Sequence, residues 1–401
     1  FPARLLGNVG ALPEVRGPGG EAEALRLAAR SEPFVWRRAG LCPAVERLGA
    51  DGLAALLRGQ PVNTHLSPRR DRQFVHFKPE RLEQGPYDAA EVRRRFAPMR
   101  LNGQMALEEV RRRLAWGPPG GGGGGGSCSS GSVVSVVPAA SSAEGFAEGA
   151  AEGTAEGAAE GAAEAADVVA EGRETPYVMQ VLLEGLPAEF EGKIARLPRE
   201  VQPPTAKLQD GHLVTWQPHV GPAASALLTG GDWRRIGALA GAGGWGAFDT
   251  AGLLLSGQDS TTPLHYDRHH NVFLQVCGAK RFLLFGPDEA PRLYGFPAQH
   301  PLDPLSRVDL DAPPGRLDAQ WPRLREARGW SAVLEAGDAL VLPQGVWHHV
   351  QSLDPENVSI NVLFGLGPGE ACGREGLAVR VAALPASRRP AALAELAKTV
   401  E

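Results

Sequence analysis

"TTPLHYDRHHNVFLQVCGAKRFLLFGP", residues Thr261–Pro287, decides how this chain is read. Its apolar runs have the length of strands, and "CGA" marks a tight turn between two of them. Along a strand, side chains two apart share a face. His265 and Asp267 therefore point the same way, an imidazole beside a carboxylate. Alone, such a pair reads as an ordinary polar pair at a strand edge.

A second segment changes that reading. "GDALVLPQGVWHHVQSL" (Gly337–Leu353) opens on a Gly-Asp turn, is broken by Pro343 and Gly345, and resumes as a strand carrying His348 and His349. Alternation lets only one of these two face a common ion, and the local pattern does not choose between them. Two histidines and one carboxylate fill one face of an octahedral ion and leave the opposite face open, the arrangement of non-haem Fe(II) oxygenases. Six of the ten histidines lie between His265 and His349. Few imidazoles can converge on one ion, so His269, His270 and His300 are read as surface or loop residues.

Lys280 follows the tight turn. By itself it reads as a solvated hairpin lysine; beside three metal ligands it reads as buried, and a buried ammonium needs an anion. A dicarboxylate that chelates the metal at one end would offer its other carboxylate to Lys280, with the Thr262 hydroxyl close enough to join.

Further strand-like runs surround these segments: Pro176–Leu186, Ala251–Gln258, His270–Val276, Lys280–Pro287, Asp338–Pro343, Trp347–Leu353 and Asn357–Gly365. Many short strands punctuated by Gly, Pro and Asp predict a sandwich or small barrel. Upstream, Glu21–Ser31, Pro43–Gly59 and Met105–Trp116 have helical apolar spacing, whereas Glu32–Gly40 and Arg72–Pro79 read as strands. The triple arginine Arg111–Arg113 reads as a solvated helix face. One or two further helices are expected after the last strand.

Between these regions the texture breaks. "GPPGGGGGGGSCSSGS" (Gly117–Ser132) leads into a run where glutamate recurs every fourth residue, from Glu144 to Glu164. That spacing stacks like charges with no lysine to pair them. Glycines beside the glutamates each cost about 1 kcal/mol in a helix relative to alanine. The stretch 117–172 is read as a disordered acidic insert.

Composition narrows the classes. With 401 residues and 43% hydrophobic content, the chain can bury a large core. A net charge of −5 gives no basic footprint, so no nucleic-acid partner is expected. No apolar run approaches a membrane span, and "FPARLLGNVG" is not a secretory signal. The four scattered cysteines imply a reducing compartment, cytoplasmic and/or nuclear. A chain starting at Phe1 reads as trimmed or incomplete at its N terminus.

"TPLHYD" (Thr262–Asp267), "GAKRFLLFGPDEAPRLYGFP" (Gly278–Pro297), "HPLDP" (His300–Pro304) and "GDALVLPQGVWHHVQSL" together resemble the JmjC/cupin 2-oxoglutarate oxygenases. The factor-inhibiting-HIF asparaginyl hydroxylases are the subgroup they look most like. "SEPFVWRRAGL", "FVHFKP", "MALEEVRRRL", "ETPYVMQVLLEGL" and "GWGAFDTAGLLLSG" resemble that subgroup's segments in the same order.

The resemblance implies a mainly β fold, a double-stranded β-helix (jelly-roll) with flanking helices. It implies an N-terminal segment 1–116 packing on the core, a catalytic core over 173–366 and C-terminal helices over 367–401. Fe(II) would be held by His265, Asp267 and His348, with 2-oxoglutarate as cosubstrate and O2 as oxidant. The distal carboxylate of 2-oxoglutarate would meet Lys280, Thr262 and Tyr177, and Asn271 would lie beside it. A protein or peptide substrate, hydroxylated at asparagine in that subgroup, and a homodimer through the C-terminal helices complete the expectation. A JmjC histone lysine demethylase and a metal-binding cupin without turnover are the alternatives.

Two departures stand out. Leu363 occupies the place of a family asparagine, with Asn361 two residues earlier on the same face. Pro304 and Leu305 stand where the asparaginyl hydroxylases carry an Arg-Gln pair that grips the target amide.

Overall fold

The computed structural model describes residues 8–67, 73–74, 100–101, 105–114, 175–187, 193–194, 196, 198, 202–297 and 300–365, with residues 100, 101 and 314 as backbone alone. The acidic insert, the C-terminal helices and most of the expected strand Arg72–Pro79 lie outside the described residues.

The N-terminal segment contributes β1 (Val9–Ala11), β2 (Glu14–Arg16), helix α1 (Glu21–Ala29), β3 (Phe34–Arg37) and helix α2 (Pro43–Leu56). Then come β4 (Pro61–Val62), β5 (Thr64–Ser67), β6 (Arg100–Leu101), β7 (Met105–Ala106) and α3 (Leu107–Arg113). After the insert follow β8 (Thr175–Leu186), β9 (Thr205–Lys207), β10 (Leu213–Thr215), α4 (Gly221–Gly230) and α5 (Trp233–Gly243).

Eight strands then form the core: β11 (Phe248–Ser256), β12 (Thr261–Tyr266), β13 (His270–Cys277), β14 (Lys280–Phe285), β15 (Gly329–Leu334), β16 (Ala339–Leu342), β17 (Trp347–Ser352) and β18 (Asn357–Phe364). They are shared between two sheets. The smaller runs β1-β15-β14-β17-β12; the larger contains β16-β13-β18-β11 at its centre. This is the jelly roll: the fold is mainly β, as the strand pattern implies.

The alternation of side chains explains the layering. On β13, Val272, Leu274 and Val276 join a core shared with Leu27, Leu53, Leu227 and Leu239 of the flanking helices. Phe273 on the same strand points the opposite way, into the barrel, with Phe282, Leu284 and Leu340. The outer face of the smaller sheet buries Leu264, Tyr266, Leu283 and Trp347 under the segment that links β14 to β15, through Leu293, Val308, Leu317 and Leu324. With both faces covered, all eight positions of β13 are buried.

Gly278 makes the turn into β14. Its φ is +71°, and a Cβ there would collide with the Glu356 carbonyl oxygen, so only glycine fits.

Two N-terminal expectations are corrected. The helix expected over Met105–Trp116 begins at Leu107, because Met105 and Ala106 are drawn into pairing with Val62 and Pro61. Arg111 is not solvated: it is 6% exposed and its guanidinium meets Asp51 at 2.7 Å. Arg112 on the same helix is exposed and pairs with Glu109, as a solvated face requires.

Candidate metal centre

β12 and β17 are hydrogen-bonded neighbours, and His265 and His348 are directly opposed in their register. The pairing brings the two rings to 4.0 Å between centroids. Asp267 lies just past the end of β12. Its backbone carbonyl accepts from Gly345 N–H at 2.9 Å, which ties the two ligand-bearing strands together at this end. Its carboxylate then faces both imidazoles, Oδ1 at 3.9 Å from His265 Nε2 and Oδ2 at 3.8 Å from His348 Nε2. All three ligand atoms lie within 4.8 Å of one another, the one such metal-capable group found among the described residues.

The tautomers follow from the hydrogen bonds. His265 Nδ1 lies 2.8 Å from the Pro263 carbonyl oxygen and His348 Nδ1 lies 3.0 Å from that of Val346. A carbonyl only accepts, so Nδ1 carries the proton and each Nε2 lone pair is turned towards Asp267. A metal ligand needs this state, and the backbone partners fix it in advance. Burial opposes ionisation of Asp267, but the charge that His348 and His265 carry when also protonated at Nε2, together with the Asn271 amide, outweighs it and holds the carboxyl below its ordinary value; a bound cation would take the place of those Nε2 protons. Two neutral imidazoles and a carboxylate on one rim fit a divalent cation.

Lys280 lies four residues along β14 from Leu284, the register partner of His348. Four residues of strand are roughly 13 Å. Lys280, Phe282 and Leu284 alternate onto the interior face, so the lysine and the triad open into the same barrel. Lys280 is 2% exposed. Its Nζ lies 5.5 Å from the centre of the Phe273 ring and 5.9 Å from that of Tyr177, and among the described residues it has no ion-pair partner. Burial pulls the ammonium from its ordinary value down to about 7. Tyr177 packs on Phe74 at 4.7 Å and is hydrogen-bonded to the Thr262 side chain. Burial pushes its phenol up to about 12, so it remains protonated and able to donate.

A pH dependence follows. Below about pH 7 Lys280 is already charged in the ligand-free protein; above it the ammonium is lost, and an anionic ligand must restore it by taking up a proton. Affinity for 2-oxoglutarate should be flat below about pH 7 and fall by up to tenfold per pH unit above it. Isothermal titration in buffers of different ionisation enthalpy checks this; equal affinity at pH 6.5 and 8.5 would show that the lysine does not receive the anion.

The remaining expected residues line the same space. Asn271 is 5% exposed, its amide bonds to the Asp267 carboxylate, and its Oδ1 has no hydrogen-bond partner among the described residues. Leu363 is the register partner of Asn271, and Asn361 that of Phe273. Asn361 is thus on the interior face, where its Oδ1 accepts from Gly252 N–H at 3.1 Å. Leu305 forms an isolated antiparallel bridge with His265 and is 3% exposed, an apolar side chain next to the metal strand.

The neighbouring histidines separate. His349 points to the outer face of the smaller sheet, where Nε2 lies 3.3 Å from Asp311 Oδ2. His269 is half-buried and within 3.5 Å of Asp249. His300 is half-buried against Phe296, with ring centroids 4.3 Å apart. His270 corrects its expectation as a surface or loop residue. It opens β13, is 1% exposed, stacks on Trp245 at 4.6 Å and accepts from Gln344 N–H. Its partner Trp245 lies in "GWGAF", too far away in sequence for local pattern to reveal the contact.

Comparison with known proteins agrees with this geometry. Residues 195–366 match the Cupin-like domain family. HSPB1-associated protein 1 of Bos taurus is 35% identical over 130 residues, 29% of this chain and 25% of that protein. Lysine-specific demethylase JMJ30 of Arabidopsis thaliana is 35% identical over 106 residues, 26% of this chain and 23% of that protein. Jumonji C domain-containing protein 5 of Drosophila melanogaster is 32% identical over 97 residues, 24% of this chain and 23% of that protein. The chain thus spans about a quarter of the length of these relatives. The matches support a JmjC-type cupin core; a special closeness to the asparaginyl hydroxylases is not among their findings. Among the described residues no helix is long and apolar enough to cross a membrane.

Proposed function

We propose that this chain is an Fe(II)- and 2-oxoglutarate-dependent oxygenase that hydroxylates a side chain of a protein or peptide. One observation carries the reading: a buried lysine with no ion-pair partner among the described residues opens into the same barrel as a His-Asp-His rim. A metal rim alone fits any cupin that stores a cation. A rim with a cation-lined far end fits a ligand that is chelating at one end and anionic at the other.

In this reading His265, Asp267 and His348 hold the metal, and Lys280 with Thr262 and Tyr177 takes the distal carboxylate. Fe(II) bound there supplies the centre at which O2 is activated as 2-oxoglutarate is converted to succinate and CO2. The barrel wall of Phe273, Phe282, Leu340 and Leu342 excludes water from that reaction. Asn271 steadies Asp267 and leaves its Oδ1 turned to the ligand space; Asn361 stands where its amide can serve the same space.

Asparagine is not the target this site favours. Pro304 and Leu305 bring no hydrogen-bonding side chain where the asparaginyl hydroxylases carry the pair that grips the target amide. The relative named as a lysine-specific demethylase supports a second reading, with a methyl-lysine as substrate and the same metal chemistry. A cytoplasmic or nuclear location, and a homodimer through residues 367–401, belong to this proposal too.

Purified protein given Fe(II) and 2-oxoglutarate under air should release succinate slowly without substrate, and faster with a true one. Succinate release at the level of an Asp267→Ala control, from protein that binds Fe(II) stoichiometrically, would favour the metal-binding cupin without turnover. Mass spectrometry of peptides then separates the two enzyme readings: a gain of one oxygen marks hydroxylation, and the loss of a methyl group marks demethylation.

A further inference from the structure

β12 carries one of the three proposed ligands, His265, and leads directly into a second, Asp267, yet it is the last strand of the smaller sheet. An edge strand has one row of backbone groups unpaired, and its end is free to fray. Here the free edge is occupied. Leu305 bridges His265, and Ser306 N–H donates to the Leu264 carbonyl at 2.8 Å. Ser306 is itself held, its hydroxyl donating to the Leu293 carbonyl.

Asp303 lies at the head of this strap. It is 1% exposed. The Tyr266 hydroxyl donates to its Oδ1 at 2.9 Å, and the Arg268 guanidinium donates to its Oδ2 at 2.7 Å. Tyr266 and Arg268 are the residues immediately before and after Asp267. One buried carboxylate therefore grips both neighbours of the carboxylate ligand from the face opposite the metal rim. Tyr266 is further fixed by the Trp347 ring at 4.9 Å, and Trp347 is the residue before His348.

We infer that Asp303 is a positioning residue: through Tyr266 and Arg268 it sets the orientation of Asp267, and with it the affinity of the rim for a divalent metal. The inference rests on the proposed metal site and adds to it a determinant more than thirty residues away in sequence. A hydrogen-bonded partner outside the ligand set typically changes metal affinity by about 10–100-fold.

The test is Co(II) titration, followed by its visible absorption, on the full chain and on Asp303→Asn, Arg268→Gln and the double variant. Arg268 is 44% exposed, so Arg268→Gln should fold even if Asp303→Asn does not. Each single variant should bind Co(II) about tenfold more weakly or worse, with an altered ligand-field spectrum. The double variant should be no worse than the weaker single, because both changes cut one path. Folded variants that keep the parent's affinity and spectrum while losing only melting temperature would reduce Asp303 to a structural anchor and overturn the inference. Independent, additive losses would overturn it too. A parent chain that binds no Co(II) would instead remove the proposed metal site, and this inference with it.

Discussion

Lys280→Met is expected to weaken 2-oxoglutarate binding on the order of a thousandfold while leaving metal binding nearly unchanged. Breaking a buried charge pair by removing one partner costs about 3–5 kcal/mol, which is that factor in affinity. The metal side is spared because Lys280 is four residues of strand away from the level of His348. Lys280→Arg should be intermediate, since it keeps the charge in a bulkier group. The same substitution should act in the opposite sense on the ligand-free protein. A lysine held at about 7 in the fold and near its ordinary value when unfolded destabilises the fold fully below about pH 7, and progressively less as pH rises towards that ordinary value. Lys280→Met should therefore raise the stability of the ligand-free chain by on the order of a few kcal/mol at pH 6, and by less at pH 9. Anaerobic titration of the metal–2-oxoglutarate charge-transfer band and denaturant melts at the two pH values measure both effects. Undiminished 2-oxoglutarate affinity in Lys280→Met would leave the cosubstrate assignment resting on the metal rim alone.

His348→Ala should abolish both metal binding and 2-oxoglutarate turnover, whereas His349→Ala should keep the metal. The two side chains are adjacent in sequence and on opposite faces of β17: His348 meets Asp267 in the barrel, and His349 meets Asp311 outside it. His349 is 1% exposed, so its removal leaves a cavity and strands the Asp311 contact, with an expected loss of about 1–3 kcal/mol. The separating measurement is metal content by mass spectrometry beside melting temperature. A metal-free but stable His349→Ala would sink the ligand assignment.

Much of this was legible before any coordinates, and the reason is periodicity. A strand's period of two assigns faces from local sequence, which is why His265 and Asp267 could be placed together and seven strands located to within a few residues. The choice between His348 and His349 was not local, because alternation is symmetric until a register is known; it falls out of the pairing of β12 with β17. Helix α4 is hard to read from sequence because Gly, Ala and Leu run around it and blur the apolar stripe that marks a helix, whereas α5 does carry such a stripe in Trp233, Ile236, Leu239 and Ala240. His270 and Arg111 were misread for a different reason. Polarity predicts exposure only on average, and each has a partner distant in sequence, Trp245 stacked on the first and Asp51 paired with the second. Asp303 was visible as a letter in "HPLDP", but its grip on Tyr266 and Arg268 exists only once the segment between β14 and β15 folds back over the sheet.

The way the flanking strands join the larger sheet bears on how the protein can be divided. β3 pairs with β16, and β8 pairs with β11 through Gly252 and its neighbours, so each side of the four central strands is completed by chain from outside residues 195–366. A fragment trimmed to that range would retain every proposed metal ligand and Lys280, yet expose rows of unpaired amides and carbonyls on two apolar strands. Such rows template intermolecular strand addition. The fragment should therefore self-associate into β-rich aggregates at concentrations where the whole chain stays dispersed, and the smallest inheritable unit of this barrel reaches back to Phe34.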